Sequence, residues 1–475
     1  MNIKKINTAP DKPNMVLIAR KESNIDTYFS KKEAKYINKR IELGDDLIEI
    51  NRYNSLAYVA IPKEDDDNYM VLESARKLGF KLFNVISSHG VEEIDVVDLD
   101  DPRLTLAFAE GLALSTYKFD RYHTQDDDRK KPQLATIAIY GKKITKKSVD
   151  ELRYIVESVF MTRDLVNEPV SVMNASRLSK EIKKMCTDAK IKVNILEKKK
   201  IQSLGMGGLL AVNQGSVDPP TFSIMEWKPE KVKNEKPLVL VGKGVVFDTG
   251  GLSLKPTKNS MDQMKADMGG AAAVAGIMRA VAKLKLPLHI VALVPATDNR
   301  PGKNAYAPGD VVHMYNGMTV EVMNTDAEGR MLLADALSFS DKYDPELVID
   351  IATLTGAAAN AIGSNGLVAM GNMDAEYMDR LKESGMSVFE RVAEFPFWDD
   401  YAEQIKSDIA DMKNIGGPTG GAITAGKFLE KFTKSPYMHL DIAGPAYVTS
   451  QENYRGKWGT GIPVRLLVDF FKKYK

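Results

Sequence analysis

The chain has 475 residues, 44% of them hydrophobic and 27% charged, with a net charge of +1. That length exceeds one ordinary hydrophobic core and suggests two domains, while the near-zero charge gives no long-range pull toward nucleic acid or an anionic membrane. A single cysteine, Cys186, excludes an internal disulfide and suits a reducing compartment.

No stretch approaches the roughly eighteen apolar residues of a membrane span. The opening Met1-Asn2-Ile3-Lys4-Lys5-Ile6 leads to Asp11 and Lys12 rather than to an apolar run, so no signal peptide is expected and the cytoplasm is the expected location.

Taken in order, Met15–Ala19 and Leu56–Ile61 read as strands, the second stopped by Pro62. Leu72–Leu78 reads as a helix, Leu82–Ile86 as a strand, Leu104–Tyr117 as a helix and Leu134–Tyr140 as a strand. The acidic runs Glu64–Asp67 and Asp126–Asp128 lack the glycine turn and distal glutamate of a calcium loop and read as solvated loops. A helix over Ser148–Val166 is closed by Asn167-Glu168-Pro169. The spacing therefore predicts a smaller N-terminal α/β domain over residues 1–166, ending in a linker helix. Its 27 basic and 28 acidic residues offer no basic excess for nucleic acid.

The second domain, 167–475, is expected to open with a helix at Ser176–Met185 and a strand at Ile191–Leu196, with Lys198-Lys199-Lys200 as a solvated helix start. Strands follow at Phe222–Glu226 and Leu238–Val241, then a helix at Met268–Lys283 and a strand at Leu288–Val294. Val311–Val322 reads as a hairpin turning at Asn316-Gly317. A helix at Met331–Lys342 and a strand at Leu347–Ile351 complete the pattern. The alternation predicts an α/β fold whose larger C-terminal domain carries a mixed central sheet sandwiched by helices.

Chemistry concentrates in two blocks, Val241-Gly242-Lys243-Gly244-Val245-Val246-Phe247-Asp248-Thr249-Gly250-Gly251 and Asn324-Thr325-Asp326-Ala327-Glu328-Gly329-Arg330, with Lys255 and Lys265-Ala266-Asp267-Met268-Gly269-Gly270 between them. Asp326 and Glu328 are two apart, so a strand end or extended loop would aim both the same way. Clustered carboxylates repel one another unless cations sit among them. A pair of divalent ions is the natural neutraliser and suits hydrolysis of a stable bond. The glycines fit neither alternative glycine-rich motif: Lys243 is followed by Gly244 rather than Ser or Thr, against a P-loop, and no third glycine stands at Val246 or Phe247, against a dinucleotide fingerprint. An oxygen-rich set with one amine accepts zinc and also manganese, magnesium or cobalt.

These blocks, in this order, resemble the cytosolic leucyl aminopeptidases, two-metal enzymes that remove N-terminal residues from peptides. The resemblance runs from about Thr162 to the C-terminus and more loosely over the N-terminal third. It implies that Lys243 is a metal ligand through a neutral amine, that Asp248 touches both metals, that Asp267 serves the tighter metal and Asp326 the more exchangeable one, and that Glu328 bridges them. It implies that Lys255 faces the scissile carbonyl and that Arg330 holds a bicarbonate ion, which takes the proton from a hydroxide-forming water between the metals. Met264, Thr353, Leu354 and Ala443 are similar to residues of the family's substrate pocket. Gly416-Gly417-Pro418-Thr419-Gly420-Gly421 reads as a rim loop that departs from the family pattern, and the loop between Lys255 and Asp267 carries one residue more than in some relatives. Short peptides as substrates, leucine and other apolar N-terminal residues, zinc or manganese as the metals, and a homohexamer all follow from the resemblance. A nucleic-acid-binding scaffold and a two-metal phosphatase are the rival readings.

Overall fold

A computed structural model of the chain describes residues 1–10, 14–124 and 133–474. The acidic run Asp126–Asp128 lies outside the described residues. The chain divides into two compact units: Met1–Phe160 with Ser450–Lys457, and Met161–Thr449 with Trp458–Lys475. Adding residues 450–457 to the first unit is something chain order alone does not foretell. There the Tyr454 hydroxyl donates to Glu73 Oε2 at 2.7 Å.

The first unit is built on a six-stranded sheet in the order Asn2–Lys5, Thr136–Tyr140, Glu93–Asp98, Met15–Ile18, Leu56–Ala60, Leu47–Asn51. All pairs are parallel except the last, where Leu47–Asn51 runs antiparallel to Leu56–Ala60. One expectation fails here. Leu82–Ile86 is not a strand but part of a single helix, Asn68–Ser88. Its apolar, β-branched run looks strand-like locally, yet the buried apolar positions of the helix, Ala75, Leu78, Gly79, Leu82 and Ile86, recur at helical spacing. The run Glu64–Asp67 is exposed, and Asp67 caps that helix through Tyr69 N–H.

The second unit carries a nine-stranded mixed sheet. Its order is Val392–Glu394, Leu367–Gly371, Tyr437–Asp441, Leu347–Ala352, Leu238–Gly242, Ile290–Asn299, Thr221–Trp227, Lys192–Glu197, and Gly244–Asp248 pairs beside Ile290–Asn299. The three central pairs are parallel and their strands fully buried, which requires cover on both faces. Val239 and Val241 pack into a core with Met331–Leu337 of the helix Glu328–Ser340 and with Phe428 and Leu429 of the helix Gly421–Glu430. Leu238 and Leu240 point the other way, to the side covered by the helix Gly269–Lys283. Val311–His313 and Thr319–Glu321 form the expected hairpin, with Gly317 in the left-handed region at φ +91°. Among the described residues no helix is long and apolar enough to cross a membrane. Cys186 is buried on the helix Ala175–Ala189, and burial pushes its thiol up to about 12, which makes it unreactive.

Candidate metal centre

Lys243 follows directly on the buried strand Leu238–Gly242. Its backbone is gripped from both sides: its N–H donates to the Ile351 carbonyl at 3.1 Å and its carbonyl accepts from Ala271 N–H at 2.9 Å. The side chain is 3% exposed. Its ammonium reaches Asp267 Oδ1 at 2.8 Å, Glu328 Oε1 at 2.9 Å and the Thr353 carbonyl at 2.9 Å. Such proximity depends on Gly329, where a Cβ would lie 2.4 Å from Lys243 Cε.

Asp248 ends the strand Gly244–Asp248. Its Oδ1 accepts from Gly250 N–H and from the Asn299 amide, each at 2.8 Å, and its Oδ2 lies 2.9 Å from Lys255 Nζ. Gly250, at φ +84°, turns the chain so tightly that a Cβ would stand 2.9 Å from Asp326 Oδ1. Lys255 also pairs with Asp326. Asp267 sits on the 3-10 segment Met261–Met268, ahead of the helix Gly269–Lys283. Its Oδ1 accepts from the Thr353 hydroxyl at 2.9 Å.

Asp326 and Glu328 do not lie on an extended segment. Asp326 occupies a turn, and Glu328 is the first residue of the helix Glu328–Ser340. Ala327, at φ −106° and ψ 38°, marks where the chain enters the helix. Oxygens of Asp248, Asp326 and Glu328 come within 4.8 Å of one another.

Four carboxylates so close cannot all carry charge without help. Burial, then the neighbouring Asp248, lifts Glu328 well above the usual carboxylate range, and the same two causes raise Asp326. Burial is also the main cause that raises Asp267, to about 6. For Lys243, burial opposes the charge, but Asp267, Glu328 and Asp248 outweigh it and hold the ammonium above the ordinary lysine range. Two ammonium groups stand against four carboxylates. Asp267 Oδ2 and Glu328 Oε2 are buried with no hydrogen-bond donor, a costly state unless a cation meets them. The donor set therefore fits divalent ions.

Arg330 is 8% exposed on the first turn of its helix. Its Nη1 donates to the Asn414 carbonyl at 2.6 Å, while its Nε is buried and finds no acceptor. Burial lowers its pKa to about 10. A cavity of about 480 Å³ opens over the cluster. Its wall includes every residue singled out from the sequence: the four carboxylates, Lys243, Lys255, Arg330, Met264, Thr353, Leu354 and Ala443. From the glycine-rich loop 416–421, Gly421 reaches the wall.

The supporting residues were not foreseen. Thr325 accepts from Ser253 N–H at 2.8 Å and donates to the Gly250 carbonyl at 2.6 Å, stitching the Lys255 loop to the Asp326 turn. The Asn299 amide and the Tyr306 hydroxyl both donate to the Thr325 carbonyl, at 3.0 and 2.9 Å. Asn414 donates to the Asn324 carbonyl at 2.7 Å. These partners are far away in the chain, and no local pattern marks them.

Residues 160–468 match the model of the cytosol aminopeptidase family, catalytic domain. A probable cytosol aminopeptidase of Syntrophotalea carbinolica is 44% identical over 370 residues, covering 77% of this chain and 74% of that relative. One of Chloroherpeton thalassium is 45% identical over 383 residues, with the same coverage of 77% and 74%. Among solved structures, a tomato leucine aminopeptidase mutant superposes with a TM-score of 0.86 at 27% identity, covering 100% of this chain and 97% of its own. The bottromycin maturation enzyme BotP in complex with Mn gives 0.85 at 27% identity, covering 97% and 99%. The chain thus belongs to the cytosol aminopeptidase family and is a metal-dependent aminopeptidase, a hydrolase acting on peptides.

Proposed function

We propose that this enzyme releases N-terminal residues, leucine and other apolar ones foremost, from short peptides with a pair of divalent ions held by Lys243, Asp248, Asp267, Asp326 and Glu328. The observation that carries the reading is the convergence of those five side chains, with two buried carboxylate oxygens lacking a donor, on the wall of one cavity. The two ions would supply Lewis acidity toward the scissile carbonyl and a water nucleophile near neutral pH. Zinc or manganese suits the donors best, and magnesium or cobalt is compatible with them. BotP was solved with Mn, which favours manganese as the first ion to try. Lys243 would act as a neutral ligand, since a cation among the carboxylates opposes the ammonium that those carboxylates now favour.

Asp267, with Thr353 beside it, receives the substrate's terminal amine, so the enzyme selects chain ends rather than sequences. Lys255 Nζ stabilises the oxyanion that develops on the carbonyl. Arg330 would hold bicarbonate through its free Nε, and that anion supplies the general base when bound. Among the described residues no histidine lines the cavity to take that part. Met264, Leu354 and Ala443 form an apolar pocket for the N-terminal side chain. A homohexamer in the cytoplasm is the expected assembly and place, testable by sedimentation and fractionation.

The deciding experiment is hydrolysis of leucine p-nitroanilide with Mn²⁺ or Zn²⁺ supplied, before and after chelation. Activity should vanish on removal of metal and return on its addition. Turnover by verified metal-free protein would contradict the reading.

A further inference from the structure

The strands Leu347–Ala352 and Tyr437–Asp441 are parallel neighbours, with Ala352 opposite Asp441. Just past that pair the two chains part. One turns through Thr353–Thr355 into the helix Gly356–Ile362, and the other runs on through Ile442–Gly444. Crevices outside the carboxyl ends of such strands are where α/β sheets take their ligands. Here both departing segments contribute to the cavity wall, Leu354 and Thr355 from one and Ala443 from the other.

A backbone bond from Ile442 N–H to the Ala352 carbonyl, 2.8 Å, spans the start of the gap. The Asp441 carboxylate spans the rest. Its Oδ1 accepts from Leu354 N–H at 3.2 Å and from Ala443 N–H at 3.1 Å. Its Oδ2 accepts from the Thr355 hydroxyl at 2.7 Å. Thr355 passes the restraint on, because its Oγ1 accepts from Ala358 N–H at 3.0 Å and so caps the helix Gly356–Ile362. Asp441 is 1% exposed and sits behind the wall.

A carboxylate, which only accepts, suits three donors converging from two segments. An amide in its place must turn an N–H toward one of them. Thr353 anchors the start of the loop separately, through its hydroxyl on Asp267. A change at Asp441 therefore shifts Leu354, Thr355 and Ala443 relative to one another while the carboxylate cluster keeps its own tether.

We propose that Asp441 is a positioning residue for substrate specificity: by tying the Leu354–Thr355 segment to Ala443 it sets the width of the pocket that receives the N-terminal side chain. This rests on the reading of that wall as the specificity pocket. The selectivity among apolar N-terminal residues is then a property of a buried acid that the substrate does not touch.

The test compares metal-loaded wild type, Asp441→Asn and Thr355→Val on alanine, leucine, methionine and phenylalanine p-nitroanilides, with bound metal per chain measured alongside. The expected result is a shift of the leucine-to-alanine kcat/KM ratio by about tenfold or more in Asp441→Asn, the scale of a pocket that misfits by a methylene. Thr355→Val, which removes one of the three donors to Asp441 together with the cap on Ala358 N–H and leaves the charge, should shift the ratio the same way by less, and both should keep their metal. If Asp441→Asn does not fold, Thr355→Val decides. Unchanged ratios, or a uniform fall across the four substrates, would overturn the proposal and leave the aminopeptidase reading standing. A wild type that turns over none of the anilides would instead overturn that reading.

Discussion

The side-chain amide of Asn299 donates to Asp248 Oδ1 at 2.8 Å, across 51 residues of chain. The same amide donates to the Thr325 carbonyl at 3.0 Å, next to Asp326. One fully buried side chain thus braces the Asp248 carboxylate of one motif block and the backbone beside Asp326 in the other. Outer groups of this kind fix the aim of a ligand and typically change metal affinity by about 10–100-fold when removed. Asn299→Leu, which keeps the volume and loses the donor, should raise the Kd for Mn²⁺ within that range by titration calorimetry. An unaltered Kd would show that Asp248 needs no such brace.

Gly329 gives a sharper case. It is the second residue of the helix Glu328–Ser340, and alanine is ordinarily the better helix former. At this position its methyl would fall 2.4 Å from Lys243 Cε and 2.7 Å from Nζ. Gly329→Ala should therefore leave the helix Glu328–Ser340 formed, by circular dichroism, yet weaken metal binding by more than about tenfold through displacement of Lys243. Full metal affinity in the variant would place Lys243 outside the ligand set.

Lys255 touches Asp248 and Asp326 and reaches the cavity. If its ammonium serves the oxyanion, Lys255→Ala lowers kcat by roughly 10²–10³-fold with metal content retained and KM changed little. Loss of activity that merely tracks loss of metal would assign it to the carboxylates instead.

In the first unit, Glu33 accepts from Arg52 at 2.7 Å and from Ser30 N–H at 2.7 Å, completing the cap of the helix Lys31–Glu42. The Arg52 hydrogen bond is the main cause that lowers its pKa from 4.5 to about 2. A carboxylate depressed in the folded state adds stability that is complete above 4.5 and is lost as pH falls toward 2. Glu33→Gln keeps the cap and removes the charge. It should reduce amide exchange protection of that helix at pH 7 by about 0.5–1 kcal/mol, the scale of an exposed ion pair. The gap should narrow below pH 4.5, and a gap independent of pH would exclude the ion pair as its source.

Most strands and helices of the second unit up to Ala352, and the charged residues that meet in its cavity, were legible because they rest on local signals, whereas the elements beyond Ala352 were not read and the substrate-pocket residues came from the family resemblance. Leu238–Val241 is a short buried run ahead of Lys243, Gly250 permits a left-handed turn after Asp248, and Gly269 opens a helix after Asp267, so much of the chemistry hangs on element ends that a linear pattern reveals. Where the local signal was double, it misled. Leu82–Ile86 has strand-like composition and is helical, because burial of Leu82 and Ile86 beside Ala75 and Leu78 rewards the 3.6-residue period over local preference. Asp326 and Glu328 converge by a turn into a helix rather than by extension.

What the chain alone determined, then, is which charged side chains exist to form the centre and in what order they come. Only the tertiary structure decided what holds them there. Asn299, Thr325, Asn414 and Asp441 act through hydrogen bonds to partners more than seventy residues away in most cases, such as Ser253 with Thr325 and Asp441 with Leu354. Those bonds arise because the sheet brings the ends of distant parallel strands side by side, and a polar group buried at such a junction must find its partner in space rather than along the chain.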